Sequence, residues 1–208
     1  AIPGSTGRRR MHLFAQGGME QTGFVIVGAG VCGLKAASRL SCEGLQDFIV
    51  LEKQATIGGV WSSYANRSSR VQISEPSYRL ATDRPLTEYT PQQELLEEME
   101  WLCRHDGLHR RMRLGCEVFS ARELGNGQGV EVAYRNASGA VRTILATDHV
   151  LLCTGGLQQP RSVQCLDEDL FRGNIIMGMG SAIDNVLLAG RRVAILGMGA
   201  FAIENART

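Results

Sequence analysis

Two short apolar runs, each ending in closely spaced glycines, constrain the fold of this chain more than any other feature. The first run, residues 23–28, reads G-F-V-I-V-G. Its β-branched residues are typical of a strand buried on both faces of a parallel sheet. The spacing of apolar residues predicts a helix over 31–42, and residues 48–51 make a second buried strand. Strand, helix and strand within about 30 residues form a βαβ unit, so the sequence predicts an α/β fold.

The turn after the first strand carries the pattern G-x-G-x-x-G at Gly28, Gly30 and Gly33. In this pattern the first glycine permits a tight turn, the second lets the backbone approach a diphosphate, and the third allows helix and strand to pack closely. The helix start adds free N–H groups and the positive end of the helix dipole. Glu52 ends the second strand 19 residues after Gly33. Its carboxylate can accept hydrogen bonds from a ribose, and an uncharged ribose suits it better than a 2′-phosphate.

The second apolar run, residues 192–197, reads R-V-A-I-L-G and predicts another strand. Gly197, Gly199 and Ala202 then fit the G-x-G-x-x-A form of the same fingerprint, followed by a helix. Two fingerprints imply two nucleotides in one chain. The simplest reason for two nucleotides is electron transfer between them, from a nicotinamide to a flavin.

The segment between the two fingerprints contains a long irregular stretch, a helix and further strands. Residues 54–90 are irregular, and Thr90 to Gln93 form a capping-box pattern with Pro91 at the first helical position. Leu95, Met99 and Leu102 make the apolar stripe of that helix, which Gly107 ends. The remaining elements are a hairpin over 130–134 and 141–145 with a turn at 136–139, and a buried strand at 150–153.

Composition excludes several classes of protein. Lys plus Arg (22) nearly equals Asp plus Glu (21) in the 208 residues, which leaves a net charge of +1. This balance gives no reason to expect a nucleic acid or an anionic membrane as partner. No run approaches the 18 apolar residues of a spanning helix. The spacings of the six cysteines and four histidines match neither a zinc site nor a dithiol motif, so we expect reduced thiols and no metal.

Three further stretches resemble the flavin-containing monooxygenases. Residues 50–61 carry Val-Leu-Glu-Lys followed by Ile-Gly-Gly-Val-Trp, which is similar to the family's L-E-K-x(4)-G-G-x-W stretch. Residues 153–155, Cys-Thr-Gly, resemble the A-T-G strand end that passes the flavin nucleotide again. Residues 197–207 resemble the family's nicotinamide-dinucleotide site. The order and spacing of these motifs match from about Phe24 to the last residue.

The resemblance implies a domain organisation. Residues 23–165 would form a Rossmann-like FAD-binding domain with a β-hairpin or meander insertion. Residues 166–208 would hold a linker and the first strand and helix of a second Rossmann-like domain, which binds NAD(P). Residues 1–22 show no periodicity, and independently of the resemblance we expect them to be a disordered leader. We expect a cytoplasmic protein unless that leader is the remnant of an organelle-targeting segment.

The resemblance also assigns roles to individual residues. Glu52 would hold the FAD ribose, with Lys53 beside the adenine and Val118 in a strand that meets it. Trp61 would lie with Gly59 along the flavin, although a core position is the alternative for Trp61. The remaining assignments are Gly28, Gly30, Val31, Cys32 and Gly33 to the FAD diphosphate, Thr154 and Gly155 to closure over FAD, and Gly197, Gly199 and Ala202 to the nicotinamide dinucleotide.

The implied activity is a monooxygenation. NADPH would reduce FAD; only the resemblance favours NADPH over NADH. With molecular oxygen as co-substrate, a peroxyflavin would then oxygenate a small nucleophilic nitrogen or sulfur compound. Three alternatives stay open. A flavin disulfide reductase carries two fingerprints but needs a cysteine pair that this chain lacks. A non-catalytic FAD-binding module and a plain nicotinamide dehydrogenase are the others.

The chain departs from the family in its linker signature, F-x-G-x(3)-H-x(3)-aromatic. Phe171 and Gly173 are in place, but Met177 replaces the histidine and Ser181 replaces the aromatic residue. Methionine cannot hydrogen-bond as imidazole does. This departure argues against a Baeyer–Villiger activity. We further expect residues 192–196 to be a poorly covered edge strand, and the chain to be the N-terminal portion of a longer enzyme or else a truncated product.

Overall fold

A computed structural model of the chain describes residues 19–81, 83–125, 127–156 and 163–207. The predicted α/β fold is confirmed, with a six-stranded mixed sheet and helices packed against it. The strands are β1 (Glu20–Val27), β2 (Phe48–Leu51), β3 (Met112–Arg113), β4 (Glu117–Leu124), β5 (Gly129–Arg135) and β6 (Val141–Leu152). The α-helices are α1 (Val31–Cys42), α2 (Val60–Ser63), α3 (Gln92–His105) and α4 (Ala200–Asn205).

The strand order in the sheet is β3-β2-β1-β6-β5-β4. β1 lies at the centre and runs parallel to both β2 and β6. The predicted βαβ unit is therefore confirmed as β1, α1 and β2. β4, β5 and β6 pair antiparallel and form the meander expected after the helix. β1 begins at Glu20, so the last three residues of the expected leader belong to the sheet, while residues 1–18 lie outside the described part.

β6 is longer than the sequence predicted. The hairpin strand at 141–145 and the strand at 150–153 are one continuous strand, Val141–Leu152. The exposed polar residues Thr147, Asp148 and His149 interrupt its apolar pattern, but its backbone still pairs with β1 on both sides of them. The pairing absorbs the interruption through a register shift between Thr22 and Phe24 of β1. The prediction of two separate strands was wrong. Backbone pairing with β1 keeps the strand continuous although its alternation of polar and apolar side chains is interrupted.

Two apolar clusters lie on opposite faces of the sheet. Successive side chains of a strand point to opposite faces, and accordingly Ile26 packs under the helices while Val25 and Val27 pack under the meander. The helix-side cluster contains the predicted stripe of α3 together with Leu34 and Phe48. The meander-side cluster is built from Leu51, Cys116, Val132, Tyr134, Ile144 and Ala146.

The start of α3 differs from the predicted capping box. Pro91 is the N-cap, and the structure gives it no side-chain cap. The hydroxyl of Thr90 donates instead to the carbonyl of Thr87. The backbone carbonyl of Thr90 accepts a hydrogen bond from the N–H of Val71. Thr90 is thus occupied in joining residues 70–71 to the helix start. The helix ends at His105, and Gly107 follows with φ 63°. The prediction that the helix ends at this glycine is therefore confirmed to within two residues.

The second apolar run does not form the predicted strand. Residues 191–198 carry no strand pairing, and Val193, Ile195 and Leu196 are exposed. A strand needs a neighbouring strand for its N–H and C=O groups, and in the described part of the chain none lies beside this segment. The helix predicted to follow is present as α4.

All six cysteines are free thiols. Burial, followed by the nearby carboxylates of Glu100 and Asp106, raises the pKa of Cys103 to about 12. Burial also raises the pKa of Cys116 and of Cys153. These three side chains are therefore neutral thiols at physiological pH. Among the described helices, none has the length and apolar character needed to cross a membrane.

Substitution of Leu95 by alanine should test the helix-side cluster. Leu95 is fully buried between α3 and the sheet. We expect L95A to lower the free energy of unfolding by about 2–5 kcal/mol because it removes buried apolar volume and leaves a cavity. The matched control is L187A, since Leu187 is 78% exposed, and it should change stability by less than about 0.5 kcal/mol. Equal effects of both variants in urea unfolding would contradict the assignment of this core.

Candidate functional site

The first glycine turn joins the ends of three parallel strands. The N–H of Gly28 donates to the carbonyl of Leu51 at 2.8 Å, and that of Cys153 donates to Val27 at 2.9 Å. Gly28 has φ 104°, and a Cβ there would lie 2.6 Å from the carbonyl oxygen of Cys153. A Cβ at Gly33 would overlap the carbonyl oxygen of Gly28. The first and third glycines of the pattern are thus required by the packing of α1 on β1 and β6.

The second glycine of the pattern faces another glycine. A Cβ at Gly30 would lie 3.6 Å from the Cα of Gly59, and Gly59 itself has φ 58°. The N–H of Gly58 donates to the carbonyl of Ala29 at 3.0 Å and holds the two backbones together. Gly30 and Gly59 therefore leave bare backbone at the start of α1. Val31 and Cys32 follow as its first two residues, whose N–H groups have no partner within the helix.

Glu52 is buried beside this turn, with only 4% of its surface exposed. One carboxylate oxygen accepts a hydrogen bond from Ala29 N–H at 2.6 Å, and the other accepts one from Gln54 N–H at 2.8 Å. An ionised carboxylate has about four acceptor positions. Two of them hold the turn, and two remain for further donors. Lys53 follows with an exposed side chain.

Trp61 lies in the short helix α2, on the helix side of the sheet. Its indole packs edge-on against Tyr78, with ring centroids 5.7 Å apart, and joins the helix-side cluster. Its carbonyl accepts a hydrogen bond from the amide of Gln92 at 2.8 Å. These contacts are those of a half-buried core residue, the alternative reading of Trp61. A position along a flavin stays a prediction.

The other residues assigned to the first nucleotide come from β4 and from the end of β6. Thr154 lies two residues after the end of β6 and adjoins Gly28, and the next residue, Gly155, has φ 69°. Both are exposed. Val118 is half-buried against the meander-side cluster, and Cys116, two residues before it, donates its N–H to the carbonyl of Glu52 at 2.7 Å. The fold thus brings both segments to the same end of the sheet as the glycine turn.

The second fingerprint has a turn and a helix but not the strand. Gly197 has φ 122°, and Gly199 precedes the six-residue α4. Gly197 and Gly199 are exposed and Ala202 is half-buried. Its geometry is therefore less complete than that of the first turn.

Two residues of α4 that sequence reasoning missed attach this helix to residues 66–72. The amide of Asn66 donates to Asn205 at 2.7 Å, and the amide of Asn205 donates to the carbonyl of Gly178 at 2.8 Å. The carboxylate of Glu204 accepts the N–H of Arg70 at 2.9 Å. All three side chains of this polar contact (Asn66, Glu204 and Asn205) are buried. No periodicity in the sequence marks them, because α4 is too short to show one.

Residues 26–86 match a family described as NAD(P)-binding Rossmann-like domain. The chain is 31% identical over 89% of its length to a Baeyer-Villiger monooxygenase of Streptomyces coelicolor, and 26% identical over 86% to the probable flavin-containing monooxygenase 1 of Arabidopsis thaliana. A solved cyclohexanone monooxygenase with bound ε-caprolactone superposes on 91% of the chain with a TM-score of 0.66 and 26% identity.

The chain is similar in sequence and fold to flavin-dependent monooxygenases. The resemblance inferred from the motifs is confirmed. The chain spans 35% and 39% of the two curated relatives and 37% of the solved chain, about a third of each. Within the described residues, no cluster of three or more His, Cys, Asp or Glu side chains is arranged to hold a metal ion.

Substitution of Gly33 should separate packing from ligand binding. We expect G33A to destabilise the fold by about 1–3 kcal/mol or more, because its Cβ would overlap the backbone of Gly28. The control is G156A, where an added Cβ meets nothing within 4 Å. Thermal unfolding of both variants without nucleotide measures the difference. A G33A protein as stable as G156A would show that the turn is looser than described.

A double-mutant cycle should measure how strongly α4 is attached. We expect N66A and N205A to lose stability in a coupled manner, with an interaction energy of about 0.5–3 kcal/mol, because the two amides bond to each other. The matched pair Q93A and N205A should show additive losses, since Gln93 is exposed and bonds to Glu97. Additive losses for Asn66 and Asn205 would contradict the buried contact.

Proposed function

We propose that this chain is the FAD-binding portion, and the beginning of the NAD(P)-binding portion, of a flavin-dependent monooxygenase. The whole enzyme would catalyse the NADPH-dependent oxygenation of a small nucleophilic nitrogen or sulfur compound, with FAD and molecular oxygen supplying the redox chemistry. One observation carries the proposal: the backbones of Gly30 and Gly59 meet at the start of α1, next to the buried carboxylate of Glu52.

A diphosphate fits the start of α1 for steric and electrostatic reasons. Bare backbone at Gly30 leaves room that any side chain would fill. The first turn of the helix itself holds no acidic residue. The unpaired N–H groups of the first turn and the positive end of the helix dipole both favour a phosphate. Among the residues assigned from the sequence, Gly30, Val31 and Cys32 are best placed to bind it.

A ribose fits Glu52. The carboxylate is fixed by Ala29 and Gln54, so it needs no reorganisation to accept two ribose hydroxyl groups at its free positions. Its negative charge disfavours a 2′-phosphate. This site therefore suits FAD rather than NADP, and NADP falls to the second turn at Gly197, Gly199 and Ala202. FAD, when bound, would supply the hydride acceptor and the oxygen chemistry. The residues of this chain hold its diphosphate and ribose.

A non-catalytic FAD-binding module is the second candidate. Met177 and Ser181 stand where the family's linker has a histidine and an aromatic residue, and residues 191–198 before the second turn are unpaired and exposed. Both observations concern the linker and the turn assigned to NAD(P), and neither concerns the turn assigned to FAD. FAD binding without NADPH oxidation would favour this candidate.

The test is FAD binding by the purified protein and by its G30A variant. The unmodified protein should be yellow, and added FAD should saturate it. We expect G30A to fold normally, because its Cβ would lie at an ordinary contact distance of 3.6 Å from Gly59. It should bind FAD at least about tenfold more weakly, because that Cβ fills the place of the diphosphate. Flavin absorbance and fluorescence titrations measure both.

The control for the FAD titration is G156A, which should bind as the unmodified protein does. A colourless protein that FAD does not saturate would overturn the assignment of FAD to the first turn. Oxygen-dependent NADPH oxidation by the yellow protein would favour the monooxygenase over the module. Product analysis with amine and thioether substrates then tests the substrate class.

A further inference from the structure

A cavity of about 570 Å³ lies on the outer side of α3, between that helix and residues 83–86. It is separate from the first glycine turn: Gly58, beside that turn, lies against Leu96 of α3, which does not line the cavity. The volume is within the range of small-molecule sites. Charged side chains dominate its lining: the carboxylates of Asp83, Glu94, Glu97 and Glu98 against the guanidinium groups of Arg84 and Arg104. The cavity is therefore net negative and attracts cations.

Glu98 supplies the observation that points to a ligand. Its side chain is only 3% exposed, although it lines the cavity. Oε2 accepts a hydrogen bond from Arg84 Nε at 2.9 Å, while Oε1 is buried and has no partner in the part of the chain that the structure describes. A buried carboxylate oxygen without a donor is energetically costly. Glu94 differs, since its Oε1 accepts the N–H of Thr87 at 2.7 Å.

The arrangement around Trp101 limits what the ligand can be. The Arg84 guanidinium lies 4.1 Å from the centre of the Trp101 ring, and the His105 ring stacks on the same indole with centroids 4.7 Å apart. Both groups pack against the indole. They compete with the aromatic contact through which a quaternary ammonium ion is commonly recognised. Recognition must therefore come from hydrogen bonds and charge.

We propose that this cavity binds the primary ammonium group of a small alkylamine. Such a group carries the positive charge that the cavity favours, and it has three N–H donors on one compact atom. One donor pairs with the Glu98 carboxylate, and the others face the neighbouring carboxylates. A guanidinium is less suited because Arg84 already fills the planar position beside Trp101. The proposal is independent of FAD binding, since it uses none of the residues of the glycine turns.

The experiment is a titration with n-butylammonium chloride, followed through the indole N–H signal of Trp101 by nuclear magnetic resonance. The chain has two tryptophans, and W61F identifies the signal of Trp101. We expect a saturable shift with n-butylammonium and none with tetramethylammonium chloride at the same ionic strength, because the latter has no N–H donor. Nα-acetyl-lysine amide carries the same head group; tighter binding of this probe would assign the site to a protein side chain instead of a free amine.

Glu98→Gln should weaken n-butylammonium binding by about tenfold or more, because a charge-assisted hydrogen bond is lost. The matched control is E100Q, which removes the same charge from the same helix outside the cavity and should leave the affinity unchanged. If E98Q does not fold, the double variant of the exposed residues Asp83→Asn and Glu97→Gln should show the weakening. Equal shifts with both cations, or unchanged affinity in the folded cavity variants, would overturn the proposal.

Discussion

The close contact of α1 with the ends of β1 and β6 is the constraint on which the site depends. Gly28 and Gly33 allow the helix to begin against the strand ends, and no side chain fits at either position. The helix start is therefore held at one end of the sheet, where its N–H groups point away from the strands. Hydrogen bonds from Gly28 to Leu51 and from Cys153 to Val27 tie three parallel strands to that point. The anion binding proposed for the turn would follow from this packing and would need no charged side chain.

Glu52 links the same turn to the second strand. Its buried carboxylate would be costly without donors, and the N–H groups of Ala29 and Gln54 supply them. The residue proposed to hold a ribose is therefore also one that holds the turn in shape. Loss of this carboxylate would leave two backbone donors to find new partners. Nucleotide binding and local stability cannot be separated at Glu52, whereas they can be separated at Gly30.

The first fingerprint could be predicted from the sequence because its requirements are local. The turn and the helix that adjoin Gly28, Gly30 and Gly33 require glycine at these positions. The helix α1 and the strand β2 have the predicted bounds. The elements that were predicted wrongly depend on distant partners. Residues 192–197 have the composition of a strand, but a strand also needs a neighbour. Thr90 has the sequence of a cap, but its backbone pairs with Val71. The contact between Asn66 and Asn205 joins positions 139 residues apart, beyond the reach of any local pattern.

Three buried glutamates differ in the hydrogen-bond partners of their carboxylate oxygens. Glu52 has a backbone donor on each oxygen. Glu204 accepts from Arg70 N–H and from the side chains of Gln72 and Arg207, so both its oxygens are also bonded. Glu98 alone among them has an oxygen with no partner in the described residues. Its companion oxygen is bonded to Arg84, whose guanidinium is held in place by Trp101. Because the fold satisfies the other two completely, the open position at Glu98 is better explained by a donor that arrives from outside the chain than by loose packing.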